Sequence, residues 1–231
     1  MSNYIKHLQE LSNKKTFNRK KDYIDYNLSF YLNKVGFKNC RALEIGPGLG
    51  EFESYLNDKG VDQIDLVDND KSILDHVSTE FKISKMFLTN SISRTSNRLG
   101  SYNFIFLMQV LEHLPTNSFH SILRVLFNHL NEGGYLVCVV PNGNNPLGLV
   151  ERYVDLQHTT CFTEQSLQDL VNLSEIENYQ IEIKGFEIPP YNPINLIRLF
   201  LQKILHFILF LIMIINGGAF FKTMTPNIML I

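Results

Sequence analysis

Short apolar runs alternate with longer stretches of helical period along most of the chain. Strands are predicted over Arg41–Ile45, Gln63–Val67, Ser84–Leu88, Tyr102–Met108, Gly134–Val140 and Tyr179–Ile188. Between them lie helices over Gly50–Lys59, Ser72–Phe81, Phe119–Leu130 and Thr163–Val171. Such alternation is the mark of an α/β fold. Phe104-Ile105-Phe106-Leu107 and Tyr135-Leu136-Val137-Cys138-Val139-Val140 are continuously apolar, as parallel strands covered on both faces must be. Residues 1–38 read as an N-terminal helical cap, with the cations Lys14, Lys15, Arg19, Lys20 and Lys21 followed by Tyr23, Ile24, Tyr26, Leu28, Phe30, Tyr31 and Leu32. One abrupt change of texture comes at Ile194, where an apolar stretch runs to Ile215.

Composition narrows the class of function. The 231 residues, 45% hydrophobic and 19% charged, can bury a sizeable core. With 21 cations against 23 anions the net charge is −2, which removes the bulk attraction that general nucleic-acid binding needs. Cys40, Cys138 and Cys161 are odd in number and widely spaced, so neither a disulfide framework nor a CxxC metal site is expected. Met1-Ser2-Asn3-Tyr4-Ile5-Lys6 leads into polar text without the apolar core of a secretory signal, which predicts a cytoplasmic protein.

Leu43-Glu44-Ile45-Gly46-Pro47-Gly48-Leu49-Gly50 places three glycines at alternate positions between a strand and a helix. Bare backbone there lets a ligand approach the helix N-terminus, although glycine turns also arise for geometry alone. The following strand ends in Asp68, 22 residues beyond Gly46. That is the separation at which an acid reaches the ribose diol of a nucleotide in a doubly wound sheet. A nicotinamide site and an S-adenosylmethionine site share these features. The dinucleotide fingerprint needs a further glycine where this chain has Glu51, and Glu44 would put a carboxylate beside the ligand. A carboxylate suits an amino-acid ammonium group better than two phosphates.

Four blocks over about residues 40–142 then carry a resemblance. Ala42–Glu51 and Ile64–Asp70 are the first two. The third is Tyr102–Pro115, whose end reads Val110-Leu111-Glu112-His113-Leu114-Pro115, and the fourth runs from Leu130-Asn131-Glu132-Gly133-Gly134 to Pro141-Asn142. In this order they resemble the class I S-adenosylmethionine-dependent methyltransferases, in particular the small-molecule O-methyltransferase branch of ubiquinone-type and surface-polysaccharide-cluster enzymes. The resemblance implies a doubly wound, seven-stranded, mostly parallel sheet closed by a reversed strand near Thr225–Ile231. Methyltransferase core would occupy 39–192 and 224–231, with an apolar helical insertion at 193–223.

It also implies S-adenosylmethionine as cofactor, held by Glu44, Gly46, Gly48, Gly50, Asp68, Asn90 and Gln109. Asn90 stands where the family usually has an aspartate at the adenine. Transfer to a hydroxyl needs a base, and histidine is the residue suited to it near neutral pH. His158, in Gln157-His158-Thr159-Thr160-Cys161-Phe162-Thr163, resembles a family histidine beyond the fifth strand and is the first choice, with His113 second and Glu112 orienting either ring. Glu112 and one imidazole could instead help hold a divalent metal, but they stand far from any other carboxylate, so no metal is expected. His7, His76, His120, His129 and His206 sit in ordinary helix text and are assigned to structure.

A helix over 194–215 would be about 33 Å long. Asn195, Arg198, Gln202 and His206 form a polar stripe on its first turns, and Phe207–Ile215 is apolar all round. Arg198 and Lys203 oppose a full membrane span. The favoured reading is an interfacial helix on the cytoplasmic leaflet, aided by these cations and the Lys14–Lys21 cluster; a helix packed on its own domain or at a homodimer interface comes second, and a full span third. The first suits a lipid-linked surface-glycan precursor as acceptor. Quinone-precursor O-methylation, a non-catalytic cofactor-binding interaction protein and, third, a nicotinamide oxidoreductase are the alternatives.

Overall fold

The computed structural model describes residues 3–153, 155–218 and 221–231. Val154, within the segment leading to His158, and Ala219 and Phe220, within the insertion, lie outside the described residues.

The chain begins with helices α1 (Asn3–Leu11) and α2 (Lys14–Val35). Asn13 starts α2 with a capping box, its side-chain oxygen accepting from the Lys15 and Thr16 backbone N–H groups. Five strands alternating with helices follow: β1 (Arg41–Ile45), α3 (Glu51–Asp58), β2 (Gln63–Asp68), α4 (Lys71–Glu80), β3 (Lys85–Leu88), α5 (Ile92–Thr95), β4 (Tyr102–Met108), α6 (Phe119–Asn128) and β5 (Leu130–Pro141). Next come α7 (Leu149–Tyr153), α8 (Glu164–Leu173), β6 (Ile183–Gly185), α9 (Pro193–Ile215) and β7 (Asn227–Leu230).

All seven strands form one sheet in the order β3-β2-β1-β4-β5-β7-β6. β7 runs antiparallel to both of its neighbours, and the other pairs are parallel. The expected seven-stranded, mostly parallel doubly wound sheet with a reversed closing strand is the observed one. Alternate residues of each strand feed two cores. Ala42, Phe104, Phe106, Val137 and Val139 pack with α2, α3 and α4, whereas Leu43, Ile105, Leu107, Cys138 and Val140 pack with α5, α6 and α8. Strand order reverses between β1 and β4, and the crevice at the carboxyl ends of strands around such a point is where these sheets bind ligands.

Two strands differ from expectation by more than one residue. β5 begins at Leu130, which pairs with Tyr102 before a register shift leads into the Phe104–Tyr135 pairing. The bulge is made at Gly133, whose φ is +71°. β6 is only Ile183–Gly185 instead of Tyr179–Ile188, because as the edge strand it has only the short β7 to pair with.

The apolar stretch forms α9, 23 residues long, with Asn192 as its N-cap and Pro193 in the first turn. Asn195 is its one buried residue, donating from Nδ2 to the Pro189 carbonyl. The partly covered line beyond it is Leu199, Gln202, His206, Leu209, Phe210 and Met213. So the polar residues Asn195, Gln202 and His206 lie on the less exposed side. Phe200, Ile204, Phe207, Ile208, Leu211 and Ile215 are all exposed. Surface helices ordinarily show the reverse arrangement.

Candidate active site

The loop after β1 is built around left-handed backbone. Gly46, Gly48 and Gly50 have φ of +72°, +57° and +89°. A Cβ on Gly46 would stand 2.7 Å from Cγ2 of Val110, whereas at Gly48 the nearest atom would be Glu51 Oε2 at 3.9 Å. Gly46 is therefore bare for packing and Gly48 for access. Both line a cavity of about 780 Å³ at the carboxyl ends of β1, β2, β3 and β4. Glu44, Asp68, Asn90, Gln109 and His113 line it too. Gly50 does not; it caps α3 beneath the ring of Phe81.

Glu44 points from β1 toward α3, and is buried with its Oε2 atom lacking any hydrogen-bond partner. Glu53 faces it from α3, fully buried with both carboxylate oxygens unpartnered. Burial and then Glu53 and Glu51 hold the Glu44 carboxyl well above the usual carboxylate range, and burial pushes Glu53 up to about 7. Two adjacent buried acids cannot both ionise cheaply, so the pair retains a proton near neutrality. Beside them Glu51 accepts from Lys20 Nζ at 2.7 Å, and Lys20 also lines the cavity. The acidic nest thus already draws in one ammonium group. Lys20 was assigned by sequence to a basic cluster at a membrane, and nothing local in the sequence marks it as a cavity residue, because α2 is brought there by packing on α3.

Asp68 ends β2, half-buried, with Oδ1 accepting from the Asp70 N–H at 2.7 Å. Burial raises its pKa, opposed by the Asp70 and Asn69 N–H groups. Asn90, after β3, is exposed at the rim. Gln109, after β4, adopts φ +57°, a costly conformation for a residue with a side chain, and donates from Nε2 to Asn227 Oδ1 at 2.8 Å. These positions fit S-adenosylmethionine: an acidic nest for the ammonium group, open backbone at Gly48, and an acid for the ribose diol.

Beyond Gln109, a single 3-10 turn covers Leu111–His113. Glu112 is fully buried, both carboxylate oxygens unpartnered, and burial pushes its pKa up to about 7. His113 reaches the cavity wall, while His158 stands against it with ring centroids 4.7 Å apart. Burial and the neighbouring His158 hold His113 below the usual histidine range, against the pull of Asp155. His158 itself does not line the cavity; its neighbour Gln157 does. The loop bearing His158 is tied to the turn by Thr159, whose N–H and Oγ1 both donate to the Glu112 carbonyl, at 2.7 and 3.1 Å. His129 is held by Ser96 Oγ and the Gly100 carbonyl, a structural role as expected.

Among solved structures the chain is similar to an S-adenosylmethionine-dependent methyltransferase from Archaeoglobus fulgidus, 17% identical with a TM-score of 0.63 over 94% of this chain and 96% of that one. It is also similar to the plantazolicin methyltransferase BamL, solved with a triazolic desmethylPZN analog and SAH, at 18% identity and a TM-score of 0.61 over 97% and 86% of the two chains. A third is the magnesium protoporphyrin IX methyltransferase ChlM from Synechocystis PCC 6803, solved with SAH, at 12% identity and a TM-score of 0.54 over 72% and 77%. Likeness at these identities speaks to the fold. No curated protein matches the chain in sequence. Residues 5–181, well over half the chain, match the methyltransferase domain family, and the chain belongs to that family.

Proposed function

We propose that the chain transfers a methyl group from S-adenosylmethionine to a hydroxyl of a small-molecule acceptor, with a lipid-linked surface-glycan precursor as the substrate class. The observation that carries the cofactor is the buried Glu44 carboxyl, backed by the fully buried Glu53, lining the same cavity as Gly48 and Asp68. A cationic amino-acid end at the nest and a ribose at Asp68 would answer both. The sulfonium supplies an already activated methyl group. What remains for the protein is to hold the acceptor oxygen in line and exclude water, which is worth up to about 7–11 kcal/mol, and to accept the hydroxyl proton. His113 at the cavity wall and His158 behind it are assigned that last task, with Glu112 beneath them.

The test is calorimetric titration with S-adenosylmethionine, S-adenosylhomocysteine and NADH. Saturable binding of the two sulfur ligands and none of NADH is expected, and Asp68→Ala should weaken it about 10- to 100-fold through loss of charge-assisted hydrogen bonds. Binding an ammonium group favours the ionised nest, so a proton is released, and affinity should rise with pH from about 5 through 7, by at most about tenfold per unit for one proton. Free protein should behave oppositely. Acids whose folded pKa lies above the unfolded value bind more protons when folded, so stability falls as pH climbs from about 4.5 through 7. NADH binding in place of the sulfur ligands, or affinity falling with pH, would sink the cofactor assignment.

The acceptor class rests on α9. Its apolar side chains are exposed around most of the helix, more than one dimer face would cover. A helix lying in the leaflet would bury them, with Arg198 and Lys203 reaching the headgroups. The full chain should therefore float with vesicles containing anionic lipid, and Phe200→Ser together with Phe207→Ser should abolish flotation while S-adenosylhomocysteine still binds. Failure to float, with a stable dimer in detergent-free solution, would favour the homodimer reading. A quinone-precursor enzyme would reveal itself by turnover of a catechol.

A further inference from the structure

A second exposed apolar segment leaves the sheet at the same edge as the active-site cavity. After β5 ends at Pro141 the chain turns through α7, and Leu147, Leu149, Val150, Tyr153 and Leu156 all stand exposed there, Leu156 wholly so. Connections at a surface ordinarily turn polar groups outward. Here several polar groups are tied up within the segment instead. Asn145 Oδ1 accepts from the Leu147 N–H at 3.0 Å, Asp155 Oδ1 accepts from the Gln157 N–H at 2.8 Å, and Arg152 Nη1 donates to the His158 carbonyl at 2.7 Å. Gln157, next to Leu156, lines the cavity, so the segment borders its mouth.

Topology brings α9 to that edge as well. β6 runs parallel to β5, since both are antiparallel to β7, and its carboxyl end at Gly185 therefore lies at the same edge as that of β5. β7 starts at this edge too, with Asn227 pairing with Pro141 and accepting from Gln109. α9 is thus an excursion that leaves the cavity's edge and returns to it. Burial raises the pKa of Glu187, two residues beyond β6, and Lys203 opposes it, so the helix passes near that strand end. Over Pro193–Ile215 the charged side chains are Arg198 and Lys203, with no acid. Lys14, Lys15 and Arg19 are exposed at the start of α2, the end from which Lys20 reaches the cavity. Apolar surface and cations share one edge, which is the complement of an anionic bilayer. A lipid surface meets segments far apart in sequence at once, without the matched shape that a protein partner needs.

We propose that Leu147, Leu149, Val150, Tyr153 and Leu156 are a second membrane contact, which enters the same leaflet as α9 and holds the cavity mouth against a bilayer containing anionic lipid. The inference rests on the membrane reading of α9 and adds an orientation to it. The aliphatic side chains suit the acyl boundary, and Tyr153, with Arg152 lying 5.2 Å from its ring centroid, suits the headgroup level. In that orientation a lipid-linked acceptor reaches the cavity directly from the leaflet.

The chain contains no tryptophan, so a single introduced one reports its own surroundings. Leu156→Trp and, as a second reporter, Val150→Trp are titrated with vesicles of phosphatidylcholine and phosphatidylglycerol, with and without bromine on the acyl chains. Emission should shift to the blue when vesicles are added, and brominated lipid should quench it. Leu173→Trp is the control. Leu173 is exposed at the end of α8, whose Val171 lines a cavity at the amino ends of β5 and β6, the opposite edge of the sheet, so its emission should neither shift nor fall. Val150→Ser together with Leu156→Ser should weaken vesicle binding by about tenfold or more, with S-adenosylhomocysteine affinity unchanged. Flotation retained with neither reporter quenched would overturn the second contact and leave α9 as the membrane element. Equal quenching of Leu173→Trp would overturn the orientation. A blue shift that grows with protein concentration in the absence of vesicles would give the surface to a second copy of the chain. If nothing floats while S-adenosylhomocysteine still binds, the membrane reading of α9 falls together with this one, and the cofactor assignment stands.

Discussion

Turnover should drop about 10²–10⁴-fold when His113 is replaced by alanine, with binding of S-adenosylmethionine retained. That range is what a positioned acid or base contributes. His113 is the imidazole that reaches the cavity, and its ring meets that of His158 edge to face. His158→Ala should therefore cost nearly as much, and the double variant hardly more than either single one, because groups that act as a unit are strongly non-additive. The measurement is transfer of labelled methyl from S-adenosylmethionine into a membrane-lipid extract, or into a defined acceptor once one is found. Wild-type turnover by His113→Ala would remove the cluster from the chemistry altogether. Losses that simply multiply would mean that the two rings do separate jobs.

Much of this site was legible because of where a doubly wound sheet puts its strand ends. Glu44, Gly46, Gly48, Asp68, Asn90, Gln109 and His113 lie at or just beyond the carboxyl ends of β1 to β4, and parallel pairing brings those ends to one crevice. β1 and β4 match their expected bounds to the residue, since a strand buried on both faces reads as an unbroken apolar run closed by turn residues. The features that escaped depend on packing between elements remote in sequence. Glu53 becomes a buried partner of Glu44 only once α3 lies on the sheet, and Lys20 enters the cavity only once α2 lies on α3. Gln109 adopts left-handed backbone without the glycine that usually announces it. Gly50 was assigned to the cofactor, but its neighbour is Phe81. The polar stripe of α9 was readable from its period, but not that it would lie on the less exposed side, since the usual rule places apolar residues inward.

Gly50→Ala should be among the most damaging single-methyl changes in the chain, for reasons separate from ligand access. At φ +89° a side chain costs about 1–2 kcal/mol. The added Cβ would also stand 2.3 and 2.7 Å from ring atoms of Phe81. That ring cannot simply swing aside, because it stacks on Phe17 at a centroid distance of 6.3 Å. Forcing a methyl into packed space costs about another 1–3 kcal/mol. A combined loss of about 2–5 kcal/mol corresponds to a fall in Tm of roughly 4–20 °C in a chain of this size. Gly60→Ala provides the internal comparison: its φ is +82°, but nothing lies within 4 Å of the new Cβ, so only the backbone cost of about 1–2 kcal/mol applies. Thermal unfolding of the two variants isolates the collision, and Phe81→Leu should restore part of the loss in Gly50→Ala while restoring none in Gly60→Ala. Equal Tm shifts for Gly50→Ala and Gly60→Ala would show that the ring yields freely. The collision also bears on the cofactor nest, since Gly50 caps the helix that carries Glu51 and Glu53, and any displacement of its first turn moves Glu53 away from Glu44. Affinity for S-adenosylhomocysteine should accordingly fall in Gly50→Ala at temperatures where the variant is still folded, and stay unchanged in Gly60→Ala.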